Sequence, residues 1–146
     1  YAEYELSVGE DETVSFADVL FRSKDLARNL RNCRKVVLFA ATIGAQADMI
    51  IRRAQISGSA DAAVMQGCGA MFIESFVDLL NDEIRKDTEA RKMRAHPRFS
   101  PGYGDVPLTM QKEFFRLLPC EKIGLSLMDT LIMAPEKSVT AFIGLE

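Results

Sequence analysis

The run Val36-Val37-Leu38-Phe39-Ala40-Ala41-Thr42 constrains the fold of this chain more than any other segment. Its residues are apolar or β-branched and do not alternate with polar ones, which is typical of a strand buried on both faces. Such a strand lies in the interior of a sheet, with neighbours on either side. We therefore expect a sheet that has Val36–Thr42 as a central strand.

Further strands are predicted at both ends of the chain, with helices between them. Tyr1–Leu6 alternates apolar and charged residues, Thr13–Phe16 can return from a polar turn, and Ser138–Ile143 is predicted as the last strand. The segment Ala17–Phe21 is ambiguous. This order predicts an α+β domain with a curved antiparallel sheet that pairs distant strands and is flanked by helices.

Four helices are predicted from caps and apolar spacing. Ser23 is a candidate N-cap for a short helix, and Pro107–Leu118 is predicted as a helix with proline in its first turn. A second helix is indicated by apolar residues at helical spacing: Ala47, Ile50, Ile51 and Ala54. The longest is expected from Ala60 to about Arg91. Its predicted inward stripe is Met65, Cys68, Phe72, Phe76, Leu80 and Ile84.

The composition argues against two kinds of partner. The chain has 146 residues, with 18 Lys and Arg against 21 Asp and Glu, giving a net charge of −3. This balance does not favour nucleic acid, whose binding requires basic groups that neutralise many phosphates. The longest apolar run, Val36–Ala45, has ten residues, whereas about 20 are needed to span a bilayer. We therefore expect neither a nucleic-acid nor a membrane partner.

The cysteine and histidine content favours a reducing compartment and excludes a His-rich metal site. Cys33, Cys68 and Cys120 form no CxxC pair and no disulfide framework. His96 is the sole histidine, so few residues could act as an imidazole base, and we assign neither a catalytic residue nor a metal ligand. No secretory signal opens the chain. We expect a cytoplasmic protein.

Residues 1–146 are expected to form one domain. The sequence has no initiator Met and starts directly in a strand-like segment, so we expect a truncated N-terminus. Leu145-Glu146 could be native or a cloning remnant.

The segment Arg98-Phe99-Ser100-Pro101-Gly102-Tyr103-Gly104-Asp105 is the strongest candidate for a binding loop. Its arginine offers a planar fork that matches a carboxylate or a phosphate. Gly102 and Gly104 allow a ligand to approach the main chain closely. The alternative is a structural loop whose arginine pairs with a nearby acid.

Glu74 is a second candidate. On an ideal helix it lies on the side of small or polar residues (Gly67, Ala70 and Asn81) and roughly opposite Phe72 and Phe76. The small residues leave a recess beside its carboxylate, which a ligand or another helix could enter. The alternative is an exposed glutamate on a solvated face.

The stretch from Arg85 to Arg98 contains six basic and two acidic residues, and it includes His96. A nucleic-acid patch is conceivable. The alternative that we favour is a solvated helix end, where basic residues complement the helix dipole.

Three stretches together resemble one family. They are Leu38–Gly44, Arg98–Leu108 with its Arg-x-x-Pro-Gly-Tyr element, and Met133–Ala141 with its Met-x-Pro-x-x-Ser-Val element. In this order they are similar to the activation (reactivation) domain of cobalamin-dependent methionine synthase, in a short stand-alone form. The similarity extends from about Ser23 to Gly144. The family's acidic residue near the start of the domain has no match before Ser23.

The resemblance implies a set of site residues for S-adenosylmethionine. Arg98 would hold the ligand carboxylate, Ser100 would contribute main-chain contacts, and Tyr103 is the loop tyrosine. Gly102 belongs to the same loop. Glu74, followed by Ser75-Phe76, matches the family's functional glutamate on the long helix.

The resemblance also implies partners. The chain would be an accessory module in the reductive methylation of cob(II)alamin, with the cobalamin carried by a partner domain or subunit and electrons from a flavodoxin-like reductase. It carries no homocysteine, folate or cobalamin domain, so it would be a component of a methyltransferase and not a complete catalyst. A sensor that binds S-adenosylmethionine, a reactivating partner of another corrinoid methyltransferase, and a purely structural domain are the alternatives.

Overall fold

A computed structural model describes residues 1–58 and 60–146. Its strands are β1 (Ala2–Val8), β2 (Thr13–Phe16), β3 (Val19–Arg22), β4 (Lys35–Thr42), β5 (Ser126–Leu127), β6 (Met133–Ala134) and β7 (Ser138–Leu145). Its α-helices are α1 (Lys24–Asn29), α2 (Ala45–Ile56), α3 (Asp61–Ala90) and α4 (Gln111–Leu117). Short 3-10 turns occupy Leu108–Met110 and Cys120–Ile123.

Five strands form one curled antiparallel sheet in the order β3-β2-β1-β4-β7. The pair of β4 with the edge strand β7 runs from Lys35 opposite Leu145 to Thr42 opposite Ser138. On its other edge β4 pairs with β1, while β5 and β6 form a separate two-stranded ribbon. The α+β class, the antiparallel sheet and the interior place of Val36–Thr42, with a neighbouring strand on each edge, are confirmed.

Strand β4 is buried on both faces, as its unalternating sequence predicts. Val36 and Leu38 pack into a core with α1 and α4, whereas Val37 and Phe39 pack into a second core with α3. All four side chains are at most 1% exposed. This strand therefore joins the two hydrophobic cores of the molecule.

The predicted inward stripe of α3 is wrong over most of its length. Its buried residues are instead Gly69, Ile73, Val77, Ile84 and Thr88. Phe72 is 68% exposed, Phe76 is 46% exposed and Cys68 is exposed. Of the predicted stripe, Ile84 is buried and Leu80 packs partly buried against the core.

Gly69 lies on the buried side of α3 and is closely packed. A Cβ atom there would lie 3.0 Å from Ile51 Cδ1 and 3.2 Å from Lys137 Cε. An alanine there would require the Ile51 and Lys137 side chains to shift by a few tenths of an ångström, so the glycine makes room for both against α3. The apolar residues cover most of the circumference of α3, and helical spacing alone does not show which stripe meets the sheet.

Within the described residues, α3 is the one helix long and apolar enough, by length and composition, to cross a membrane. The search for uninterrupted apolar runs, of which the longest has ten residues, did not detect α3 because polar residues interrupt its apolar ones. The mostly buried core helix of a soluble protein meets the same test, whereas 17% of the apolar window of α3 is buried, and Ile73 and Val77 pack against the sheet core. The helix also carries Glu74 and Asp78 near its middle, where a spanning helix would bear a large cost.

The other helices begin close to where their caps predict. The Ser23 hydroxyl accepts a hydrogen bond from the Leu26 backbone N–H at 3.1 Å, so Ser23 is the N-cap of α1. The Pro107–Leu118 segment starts as a 3-10 turn, and its regular α-helix begins at Gln111. Phe114 is buried inward as expected.

Candidate ligand-binding site

The loop that starts at Arg98 is fixed to the sheet edge by its second residue. Phe99 and Phe142 of β7 exchange two backbone hydrogen bonds, at 2.9 and 2.8 Å. Further along, the Gly102 N–H donates to the Val106 carbonyl at 2.9 Å, which closes the turn. Gly102 has a φ of 89°, a conformation that glycine adopts without steric cost.

Arg98 lies between two carboxylates on α3. Its Nη2 is 2.9 Å from Glu74 Oε2, and its Nη1 is 2.6 Å from Asp78 Oδ1. The structure therefore brings together Arg98 and Glu74, which are 24 residues apart in the chain. Asp78 was missed by the sequence reasoning, although its position one helical turn after Glu74 places it on the same side.

A cleft of about 420 Å³ opens beside this ion-pair cluster. The residues that line it come from α3, the loop, α4 and the third resembling stretch: Glu74, Arg98, Phe99, Ser100, Pro101, Tyr103, Gln111, Met133, Ser138, Val139 and Thr140. Of the expected site residues, Glu74, Arg98, Ser100 and Tyr103 line the cleft. Gly102 does not, because its role is to shape the turn.

The wall of the cleft contains a buried polar pair. The Thr140 hydroxyl donates to Gln111 Oε1 at 2.8 Å, and these residues are 2% and 5% exposed. The Gln111 amide is thereby held in one orientation. Sequence reasoning could not find this pair, since it forms only when α4 packs against β7. Tyr103 also lines the cleft and is 70% exposed.

Asp105, the last residue of the loop motif, has a structural role. Its carboxylate accepts hydrogen bonds from the Ser23 hydroxyl, from the Lys24 N–H at 2.7 Å and from the Asp25 N–H at 3.2 Å. The bond from Ser23, followed by those from the two backbone N–H groups, lowers the pKa of Asp105. The loop is thus tied to the start of α1 by the residue that ends its motif.

Three of the six basic residues from Arg85 to Arg98 have acidic partners, and Arg98 is one of them. Arg85 pairs with Asp82, and Arg91 pairs with Glu3 and Asp87. His96 is held within the protein, with its Nδ1 2.7 Å from the Asn29 carbonyl oxygen and its Nε2 3.1 Å from Glu146 Oε2. These contacts favour a paired helix end over a nucleic-acid patch.

A larger cleft of about 640 Å³ lies at the other end of the sheet, along α1. Exposed charged residues surround it, among them Glu10, Lys24, Arg28 and Arg31. The smaller cleft is the better candidate site because it joins both signs of charge to a buried polar pair. Convergent polar groups of this kind, set among apolar side chains, are typical of ligand sites.

No model of a known protein family matches this chain, and no curated protein matches it.

Proposed function

We propose that this chain is an S-adenosylmethionine-binding accessory module that supports the reductive methylation of cob(II)alamin in cobalamin-dependent methionine synthase. One observation carries the proposal. Two of the three stretches that resemble the family's activation domain, the loop from Arg98 and the segment Met133–Thr140, line the same cleft although they are far apart in the chain. Glu74, the family's functional glutamate by resemblance, lines it too.

The charges in the cleft suit the amino-acid end of S-adenosylmethionine. That end carries a carboxylate and an ammonium group; the cleft offers the guanidinium of Arg98 and the carboxylate of Glu74, and Asp78, outside the lining, also pairs with Arg98. The ligand carboxylate can take one edge of Arg98, and the acid released from that edge can accept hydrogen bonds from the ammonium group. Each charge then keeps a partner, which avoids the cost of a desolvated unpaired charge.

The size and lining of the cleft also suit a ligand such as S-adenosylmethionine. Its volume of about 420 Å³ lies within the range of roughly 300–1,000 Å³ for small-molecule sites. Val139 and Met133 offer apolar surface, and the exposed ring of Tyr103 can lie over a bound ligand. Ser100 has main-chain groups at the same wall.

The chain's own residues bind and orient the ligand and keep water from it. S-adenosylmethionine would supply a sulfonium methyl group, and a partner-held cobalamin would accept it. Positioning of this kind needs no acid or base from the chain. The cobalamin domain or subunit, the flavodoxin-like reductase and the cytoplasmic setting belong to the same proposal.

A second reading is supported by the ion pairs of Arg98. Both of its terminal nitrogens already contact protein carboxylates, so Arg98 could serve only to pin the loop to α3. The chain would then be a structural domain. The two readings differ in whether substitution of Arg98 changes ligand affinity or folding stability.

Calorimetric titration with S-adenosylmethionine tests the proposal. We expect saturable heat with one site per chain, and weaker binding for Arg98→Lys. The matched control is Arg116→Lys, since Arg116 also pairs with two acids, Asp18 and Glu113, but lies outside the cleft. Absence of heat at millimolar ligand would contradict the proposal.

A spectral assay then separates a module that supports methylation from a sensor. The chain is mixed with a cobalamin domain, reductant and S-adenosylmethionine, and the loss of the cob(II)alamin absorption is followed. We expect faster loss with the wild-type chain than with Arg98→Lys. Binding without any acceleration would favour the sensor.

A further inference from the structure

Gln111, the first residue of α4, is buried at the wall of the cleft and has an amide nitrogen without a partner. Its side chain lines the cleft, and the residue is 5% exposed. Its Oε1 accepts the hydrogen bond from Thr140, whereas its Nε2 makes no hydrogen bond within the described residues. Asn29 Oδ1 is the one fully buried side-chain polar atom without a partner in that part of the chain. Gln111 Nε2 is therefore reached by solvent, and it meets solvent at the cleft.

The Thr140 hydroxyl determines which end of this amide faces the cleft. A glutamine side chain has one acceptor oxygen and one nitrogen that carries two N–H donors. Because Oε1 is engaged by Thr140, the end left for a ligand is Nε2, which can only donate. Thr140 is itself 2% exposed and belongs to β7, so the amide is held by the sheet. A ligand that enters the cleft and offers a hydrogen-bond acceptor would satisfy this donor.

The cleft extends to both faces of β7, and its two sides differ in charge. Thr140 bonds to α4 on one face, whereas Val139 packs on the other face against the core that includes α3. Both residues line the cleft, which is possible because β7 is at the edge of the sheet. Among the described residues that line it, Glu74 and Arg98 carry the charges, and they pair with each other at α3. The α4 side therefore offers an uncharged donor.

This division suits a ligand that has one charged end and one uncharged end. The amino-acid end of S-adenosylmethionine is matched by Arg98 and Glu74, and its adenosine end has no charge and presents acceptor nitrogens in the purine ring. Gln111 Nε2 can donate to one of these nitrogens. The reverse orientation would set the ammonium group, a donor, beside the Nε2 donor, and it would leave the charged end without counter-charges.

We propose that Gln111 is a specificity-determining residue for the adenosine end of the ligand, with Nε2 donating a hydrogen bond to an acceptor nitrogen of the adenine ring. Thr140 is the positioning residue that turns the amide toward the ligand. This inference rests on the proposed function and adds the orientation of the ligand in the cleft. The amino-acid end lies on the α3 side, and the adenosine end lies on the α4 side.

Calorimetric titration with two ligands tests the assignment. One is S-adenosylmethionine, and the other is 5′-methylthioadenosine, which keeps the adenosine end and lacks the amino-acid end. Gln111→Glu retains an acceptor for the Thr140 hydroxyl but replaces the amide donor with an oxygen. We expect it to weaken both ligands by about 5- to 150-fold, as for loss of a buried hydrogen-bond partner. Arg98→Lys should weaken S-adenosylmethionine and leave 5′-methylthioadenosine unchanged.

Two further variants separate ligand contact from folding. Gln55→Glu makes the same substitution at an exposed position of α2, outside the cleft, and should leave both affinities unchanged. Gln111→Met replaces the amide by an apolar side chain of similar length, and it should weaken both ligands as Gln111→Glu does. It keeps the test valid if a new carboxylate at this buried position prevents folding. Melting curves followed by circular dichroism report whether each variant is folded.

Thr140→Val tests the positioning role. Valine has nearly the shape of threonine but lacks the hydroxyl, so the Gln111 amide is free to turn. We expect both ligands to bind more weakly than to the wild type and more tightly than to Gln111→Glu. A lower melting temperature with unchanged affinities in all three variants at Thr140 and Gln111 would assign the pair a purely structural role and overturn the inference.

The pair of ligands also distinguishes failure of this inference from failure of the proposed function. If S-adenosylmethionine binds the wild type and both Gln111 variants equally, the inference is overturned and the proposed function stands. If 5′-methylthioadenosine binds in a way that depends on Gln111 but S-adenosylmethionine does not bind, the assignment of Gln111 stands and the proposed function fails. Weakening of S-adenosylmethionine alone would place Gln111 at the amino-acid end and overturn the orientation. Binding of neither ligand to the wild type would overturn both.

Discussion

Arg98 is held by two carboxylates, and this arrangement determines what its substitution should do. We expect Arg98→Lys to weaken binding of S-adenosylmethionine, because lysine keeps the charge but loses the fork that can hold a carboxylate with two parallel bonds. A poorly paired carboxylate costs about 1.5–3 kcal/mol, which corresponds to roughly 10- to 150-fold in affinity. Titration calorimetry measures this loss.

A second substitution in the same cluster, Glu74→Gln, should also weaken binding of S-adenosylmethionine. It should weaken binding less, because Asp78 remains to face the ligand ammonium group. Folding should survive both substitutions, since Glu74 and Arg98 lie outside both hydrophobic cores. Equal affinity of the wild type and Arg98→Lys, together with a lower melting temperature of the variant, would assign Arg98 a structural role.

Asp105 should make folding stability depend on pH. The hydrogen bond from Ser23 lowers the pKa of Asp105 in the folded state, below its unfolded value of about 3.9. The resulting stability is present above about pH 4 and is lost as pH falls through the folded pKa. Asp105→Asn should therefore lower the melting temperature at pH 7, with a difference that shrinks in acid.

Melting curves of wild type and Asp105→Asn between pH 7 and pH 3 measure the effect. Asp129→Asn, at an exposed position, serves as the control. A gap between wild type and Asp105→Asn that stays constant with pH would show that the carboxylate charge is not what stabilises the cap.

Some individual residues of the candidate site could be predicted from the sequence. Arg98 and Glu74 were candidates from their chemistry and position, the resemblance added Ser100 and Tyr103, and all four line one cleft. The Gln111–Thr140 pair could not be predicted, because a hydrogen bond between residues 29 positions apart depends on how α4 meets β7 and leaves no local pattern.

Helix α3 shows the limit of sequence periodicity for one element. Its existence and its bounds were predicted within one residue at each end, since 30 residues of helix-forming sequence leave little ambiguity. Its inward side was predicted wrongly because two apolar stripes compete, and helical spacing alone does not show which one meets the sheet. The burial of β4 was easier to predict, because this strand is apolar on both faces and both are buried.

Adjacent residues Phe72 and Ile73 allow a direct test of that correction. Ile73→Ala should lower the free energy of unfolding by about 2–4 kcal/mol, because its side chain is buried and its loss leaves a cavity. Phe72→Ala should change it by only about 0.5 kcal/mol, as at exposed positions. Urea unfolding measures both changes, and equal losses would contradict the assignment.

The whole molecule is held together by β4. Its side chains alternate between the two cores, and both of its edges are paired. We expect the backbone amides of β4 to exchange hydrogen only through global unfolding, with those of α2 and the ends of α3 exchanging faster through local opening.

Native-state hydrogen exchange measures this ranking. If the two cores act as one unit, Val37→Ala and Leu38→Ala should lower the protection of β4 amides equally for equal loss of stability. Exchange of β4 through a partial opening that leaves the α1 and α4 core protected would show two separable folding units.

The pairing of β4 with β7 also means that the sheet can be completed only after β7 has been synthesised. Ser138 pairs with Thr42, so roughly a hundred residues must form a closed loop before this contact exists, which slows folding relative to a chain of local contacts. Until β7 leaves the ribosome, one edge of β4 is unpaired, and both cores lack the side chains that β7 contributes. An apolar strand with an open edge is a template for pairing with other chains. The nascent chain is therefore most prone to aggregation after β4 and α3 have emerged and before the eight residues of β7 follow.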